Sequence, residues 1–142
     1  MPVELVENAT KELTEAMEKL IPQLSSSSPV LSPEEVTRLI SQPSVKVFIY
    51  RGESGEIEGM LSLVLFYIPT GLRAWIEDVV VLEQTRGQGA GRQLVEAALK
   101  FAKDAGARSV DLTSRPSRAA ANRLYQRCGF ETRQTNVYRF QG

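Results

Sequence analysis

Leu13, Met17, Leu20, Ile21 and Leu24 recur at three- and four-residue steps in an otherwise polar stretch. That spacing predicts a helix from Asn8 or Thr10 to about Leu24 with one apolar face. Pro22 is expected to kink or end it. A short strand, "VELV", precedes it, and the serine-rich "SSSSP" at 25–29 follows as a flexible connector. "SPEE" at 32–35 predicts a second helix start. Ser32 supplies the N-cap, Pro33 sits at the first helical position and Glu35 closes a capping box. Val36, Leu39 and Ile40 make its short apolar face.

The apolar period then shortens. "VKVFIY" (45–50), the turn "RGESGE" and "IEGMLSLVLFYI" (57–68) predict a hairpin. "LRAWIEDVVVL" (72–82) adds a third strand after "PTG". Val79, Val80 and Val81 run without alternation, which predicts a strand covered on both faces. A glycine-rich stretch follows. From Gly91 to Ala105, the residues Leu94, Ala98, Phe101, Ala102 and Ala105 line one helical face, with Gly106 as the stop. "SVDLT" (109–113) predicts another strand. A last helix is expected from about Arg118 to Cys128, with Ser117 as N-cap and Gly129 beyond its end. "FETRQTNVYRF" closes the chain as one or two strands. Hairpins mixed with strand–helix–strand crossovers imply an α/β domain, its mixed sheet carrying helices on both faces. With no repeat or linker in view, one domain is expected over residues 1–142.

Composition narrows the chemistry. Lys plus Arg and Asp plus Glu are both 17, so no basic excess points to nucleic acid. Histidine is absent, which excludes histidine-ligated zinc and His-based triads. A single cysteine, Cys128, leaves no internal disulfide and no cysteine-cluster metal site, and no metal is expected. With no histidine to activate it, Cys128 reads as a core residue rather than a nucleophile. The polar N-terminus lacks the apolar core of a signal peptide, and Met60–Ile68 is too short to cross a bilayer as a helix. A cytoplasmic protein without a membrane partner is the expectation.

Residues 84–93 read "QTRGQGAGRQ", between a strand and a helix. The first amides of a helix lack intrahelical partners and carry the positive end of its dipole. A phosphate is stabilised there, and glycines let it approach the backbone. Arg86 and Arg92 add charge suited to a pyrophosphate. A dinucleotide fingerprint would need a small final residue where Arg92 or Leu94 stands. A P-loop would need Lys-Ser/Thr after Gly91, where Arg92 and Gln93 stand.

Arg86, Gly89 and Gly91 instead fit the Q/R-x-x-G-x-G/A signature, and the chain resembles the GNAT superfamily of acetyl-CoA-dependent N-acetyltransferases. "AAANRLYQRCGF" resembles that superfamily's later helix, in which an asparagine and then a tyrosine precede "GF"; here these are Asn122 and Tyr125. "IEDVVV" also looks like glucosamine-6-phosphate N-acetyltransferases. The resemblance implies a mixed, mostly antiparallel sheet of six to seven strands. It implies acetyl-CoA as cosubstrate, direct attack by an amine in a ternary complex, and a homodimer as one assembly. Donor binding would fall to the backbone of Val79, Val80 and Val81, to Arg86, Gly87, Gln88, Gly89, Ala90, Gly91 and Arg92, and to Asn122. An amide of Val79 or Val80 would serve as the oxyanion hole.

A carboxylate acting through water can remove a proton from the amine, with water alone as the alternative. Glu77 and Asp78 precede the valines, and strand alternation points them to opposite faces, so only one faces the acceptor easily. Glu77 is the choice. Tyr125 is the candidate acid, on one helix face with Asn122. Arg115 and Arg118 read as a solvated basic face, with an anionic acceptor or the adenosine 3′-phosphate as the alternative. The acceptor stays open among a small amine, an amino sugar, an antibiotic, a polyamine and a protein N-terminus. A non-catalytic acyl-CoA sensor and a nucleotide-dependent oxidoreductase are the competing classes.

Overall fold

The structure is a computed structural model that describes residues 2–142. Its elements run β1 (Val3–Leu5), α1 (Lys11–Leu24), α2 (Pro33–Ser41), β2 (Val45–Arg51), β3 (Ile57–Ile68), β4 (Gly71–Val81), α3 (Ala90–Asp104), β5 (Val110–Asp111) and α4 (Ala119–Arg127). The helix starts follow local chemistry. Thr10 caps α1 by accepting from the Leu13 amide. In α2 the Ser32 amide donates to Glu35 Oε1 at 2.9 Å, and the Glu35 amide to Ser32 Oγ at 3.1 Å, the reciprocal capping box. These bonds hold the Glu35 carboxyl below its ordinary range. Pro22 lies within α1, which ends just beyond it at Leu24.

The sheet has five strands in chain order. β1 to β4 pair antiparallel, and β5 joins β4 in parallel after the α3 crossover. Two core clusters show that both faces are covered. Phe48, Tyr50, Leu61, Leu63, Ala74 and Ile76 pack against Leu94, Val95, Ala98 and Ala102 of α3. Val47, Ile49, Met60 and Val80 pack on the other face against Leu13, Met17 and Leu20 of α1 and Val36 of α2. Val80 belongs to the α1 side while Val79 and Val81 pack on the α3 side. The unbroken valine run therefore does mark a strand covered on both faces.

Three expectations are corrected. The sheet has five strands, not six to seven, because "FETRQTNVYRF" forms none. Every residue from 131 to 142 is exposed, with Tyr138 87% and Phe140 94% accessible. The polar run from Thr132 to Asn136 has no apolar residue to bury, and β5 offers an edge of only two residues. The strand expected over 109–113 shrinks to Val110–Asp111. The last helix starts at Ala119 after Arg118, and Ser117 is not its cap. Gly106 and Gly129, at φ 90 and 99, do end α3 and α4. Among the described residues no helix is long and apolar enough to cross a membrane.

Candidate functional site

β4 changes character along its length. Ala74 and Trp75 pair with Val110 and Asp111 of β5. Beyond Trp75 that edge of β4 has no strand partner among the described residues, so Ile76 to Val81 form one arm of an open fork. On the β3 side, Glu77 pairs with Ser62 and Val80 with Met60. Asp78 and Val79 thus stand against the single residue Leu61, a β-bulge. Asp78 sits in the left-handed region at φ 52, a conformation rare for a residue with a side chain. The bulge begins directly after Glu77, and both carboxylates are exposed. Glu77 is held from its own strand: Trp75 Nε1 donates to Glu77 Oε2 at 2.7 Å. Gly59 lies opposite, where an added Cβ would come within 3.2 Å of the Val80 carbonyl oxygen and 3.3 Å of Leu94.

β4 runs into a short 3-10 turn, Glu83–Thr85, and then the glycine loop. Thr85 is buried, and its hydroxyl donates to Glu58 Oε1 at 2.9 Å. The Leu82 amide donates to the Glu58 carbonyl at 2.8 Å, so β3 anchors the entry to the loop twice. We expect Thr85→Val to lower stability by about 1.5–3 kcal/mol, the worth of a hydrogen bond to a charged group. Urea denaturation checks this, and an unchanged midpoint would remove the anchor from the account.

The three glycines have different reasons. Gly87 and Gly89 adopt φ 85 and 81, which only glycine takes without strain. An added Cβ at Gly87 would meet nothing within 4 Å, and one at Gly89 only Gln93 Nε2 at 3.8 Å, so open space lies above both. Gly91 is a packing glycine, because its Cβ would come 3.2 Å from Leu124 of α4. Gly89 is the N-cap of α3 and has no side chain to cap it. The first intrahelical bond runs from the Gln93 amide to the Gly89 carbonyl. The amides of Gly89, Ala90, Gly91 and Arg92 therefore precede the helical ladder. Arg86, Gly87, Gln88 and Gly89 are exposed around them, while Ala90 is buried. The first turn holds no acidic residue and does hold Arg92, against the dipole preference. An anion at this helix end would reverse that disadvantage.

On α4, Asn122 Nδ2 donates to the carbonyls of Arg115 and Arg118 at 2.9 and 2.7 Å. Its amide nitrogen closes the β5–α4 loop rather than standing free. Arg115 and Arg118 are exposed, as a solvated basic face requires. Tyr125 is half-buried, packs edge-on against Phe130 with ring centroids 5.9 Å apart, and shares a core cluster with Val79 and Val81. Burial pushes its hydroxyl pKa above the ordinary tyrosine value. Burial likewise pushes the Cys128 thiol up, with Glu96 adding to the effect. Cys128 packs partly buried against the same cluster. It should react slowly with an aromatic disulfide reagent at neutral pH and at once in urea. Fast reaction of the folded protein would contradict the packed placement.

Several contributors were missed by the sequence reading. Thr85, Glu58 and Gly59 act through partners far along the chain or across the sheet, and Trp75 through Glu77 two positions on. Only the tryptophan two positions before Glu77 carried a local signal. No group of three or more His, Cys, Asp or Glu residues is arranged to hold a metal among the described residues.

Comparison with known proteins meets this geometry. The chain is 29% identical over 113 residues to the aminoglycoside N(6′)-acetyltransferase type 1 of Stenotrophomonas maltophilia, covering 74% of this chain and 72% of that one. It is 37% identical over 82 residues to the aminoalkylphosphonate N-acetyltransferase of Salmonella typhimurium, covering 55% of this chain and 52% of that one. An aminoglycoside acetyltransferase from an uncultured soil metagenomic sample superposes with a TM-score of 0.84. It is 18% identical, covers 99% and 94% of the two chains, and shares the fold. The acetyltransferase (GNAT) family profile matches residues 12–130, from the first helix through the glycine loop to the end of the last, and the chain belongs to that family.

Proposed function

We propose that the protein transfers the acetyl group of acetyl-CoA to a primary amine by direct attack in a ternary complex. One observation carries the reading: the unpaired edge of β4 from Ile76 to Val81 leads straight into the glycine loop at the head of α3. An extended pantetheine arm fits such an edge as an added strand. Its pyrophosphate then falls at Gly87–Arg92, where open space, free amides and Arg86 and Arg92 coincide. An amide of Val79 or Val80, turned by the bulge, donates to the acetyl carbonyl as negative charge develops on its oxygen.

The amine arrives protonated, with an ordinary pKa of about 10.4. Glu77, exposed on the fork and oriented by Trp75, takes the proton through water. The amine nitrogen then attacks the carbonyl carbon, sheds its second proton to water as the carbon–sulfur bond breaks, and the thiolate collects a proton. Tyr125 serves this last step. A phenol near 10 already lies above a thiol near 8.5, which makes full transfer uphill by about 2 kcal/mol. Burial raises the phenol further. Tyr125 therefore stabilises the developing thiolate by donating a hydrogen bond, and its proton moves late.

The test is release of CoA thiol from acetyl-CoA in the presence of a broad amine panel, with the acceptor gaining one acetyl group by mass. Initial-rate lines should intersect, as a ternary complex requires. Parallel lines would overturn direct attack, and no release with any amine would overturn the activity.

A further inference from the structure

The fork places an aromatic ring and two carboxylates on one face of the sheet. Ala74 and Ile76 point into the core on the α3 side, so Trp75 and Glu77 point to the other face. Val110, the register partner of Ala74, packs on the α3 side too. Asp111, the partner of Trp75, therefore shares the face of Trp75 and Glu77. The Trp75–Asp111 rung is the last before the strands part, and Glu77 stands just beyond it. Trp75 and Asp111 are half-buried and Glu77 is exposed. The indole N–H fixes the Glu77 carboxylate at 2.7 Å.

Charge along the chain supplies an independent observation. Of the 17 basic and 17 acidic side chains, residues 1–85 hold 6 and 13, and residues 86–142 hold 11 and 4. The basic part comprises the glycine loop, α3 and α4, which suits a polyanionic donor. The acidic part comprises β1 to β4 with α1 and α2, and one arm of the fork belongs to it. Asp111 is one of the four acids in the basic part, and it lies at the fork.

We propose that Trp75, Glu77 and Asp111 form the ammonium-recognising wall of the acceptor site, and that the acceptor is a small amine bearing at least two positive charges. This rests on the acetyltransferase reading above. One amine gives its proton toward Glu77 and attacks. A second stays charged, with Asp111 as its counter-charge and the indole face as its aromatic contact. Trp75 is a positioning residue for the Glu77 carboxylate. An amine that also carries a phosphate would meet like charge on this wall.

The experiment compares a linear triamine, a diamine and a monoamine of matched length, and an amino sugar phosphate, at saturating acetyl-CoA. Wild-type kcat/KM should fall at least about tenfold from triamine to monoamine, mainly through KM, as loss of the Asp111 ion pair and the indole contact requires. In Asp111→Asn the triamine-to-monoamine ratio should shrink to within about threefold. In Trp75→Phe the KM for the triamine should rise about fivefold or more, as befits a lost positioning bond to a charged group, with a smaller change in kcat. Equal or better use of the monoamine or the sugar phosphate by the wild type would overturn the inference and leave the acetyltransferase reading standing. So would an undiminished ratio in Asp111→Asn. Because the wild-type series decides by itself, a variant that fails to fold does not shelter the proposal. Release of CoA with none of the amines would remove the activity, and this inference with it.

Discussion

Replacing Gly89 with valine should raise the KM for acetyl-CoA roughly a hundredfold. Gly89 sits at φ 81, where a β-branched residue is strained, and it is the N-cap of α3. A side chain there would fill the open space above the loop and hold the pyrophosphate off the amides. Loss of two charge-assisted bonds amounts to about 3 kcal/mol, or roughly two decades of affinity. Gly91→Ala is the control. Its Cβ meets the end of the Leu124 side chain at 3.2 Å, so its cost falls on α3–α4 packing. It should lower thermal stability and change the acetyl-CoA KM by less than about threefold. Initial rates with varied acetyl-CoA, alongside melting curves of both variants, separate the two roles. Equal donor KM in the Gly89 variant and the wild type would take the loop out of donor binding.

Tyr125→Phe should lower kcat roughly a hundredfold with little change in the acetyl-CoA KM. Phenylalanine keeps the ring packing against Phe130 and removes only the hydroxyl. A hydrogen bond made in the transition state is lost, an effect of about 2.7 kcal/mol for two decades of rate. The pH dependence carries a second signature. The folded-state pKa of Tyr125 is raised by burial, so the folded protein holds that proton more tightly than the unfolded chain does. The stabilisation is complete below the ordinary tyrosine pKa near 10 and is lost as pH rises through the raised value. The wild type should therefore lose stability above about pH 10 more steeply than Tyr125→Phe. Unchanged kcat in the variant would remove Tyr125 from the mechanism.

Local chemistry made much of the fold legible. The capping box at Ser32 and Glu35, the hairpin strands and the stops at Gly106 and Gly129 each depend on residues a few positions apart. The glycine loop could be singled out as a candidate phosphate site for the same reason. What escaped was tertiary. Nothing in "IEDVVV" announces that Asp78 and Val79 share one partner across the sheet, so the bulge and the left-handed Asp78 were invisible. Gly91 looked like its neighbours until Leu124 was placed beside it. Thr85 looked like an ordinary loop residue until Glu58 accepted its hydroxyl. The closing strands were expected over "FETRQTNVYRF", yet a segment does not make a strand without a sheet edge to receive it. Of the proposed donor site, the loop came from sequence and the open arm of β4 from pairing.

The most direct measurement is thermal unfolding with acetyl-CoA, NAD or ATP present, in the wild type and in Gly89→Val. A ligand held at a hundred times its Kd adds about 2.7 kcal/mol to folding stability, several degrees for a domain of this size. The account predicts that acetyl-CoA raises the melting temperature of the wild type, that NAD does not, and that the shift is largely lost in Gly89→Val. Stabilisation by NAD without stabilisation by acetyl-CoA would contradict it.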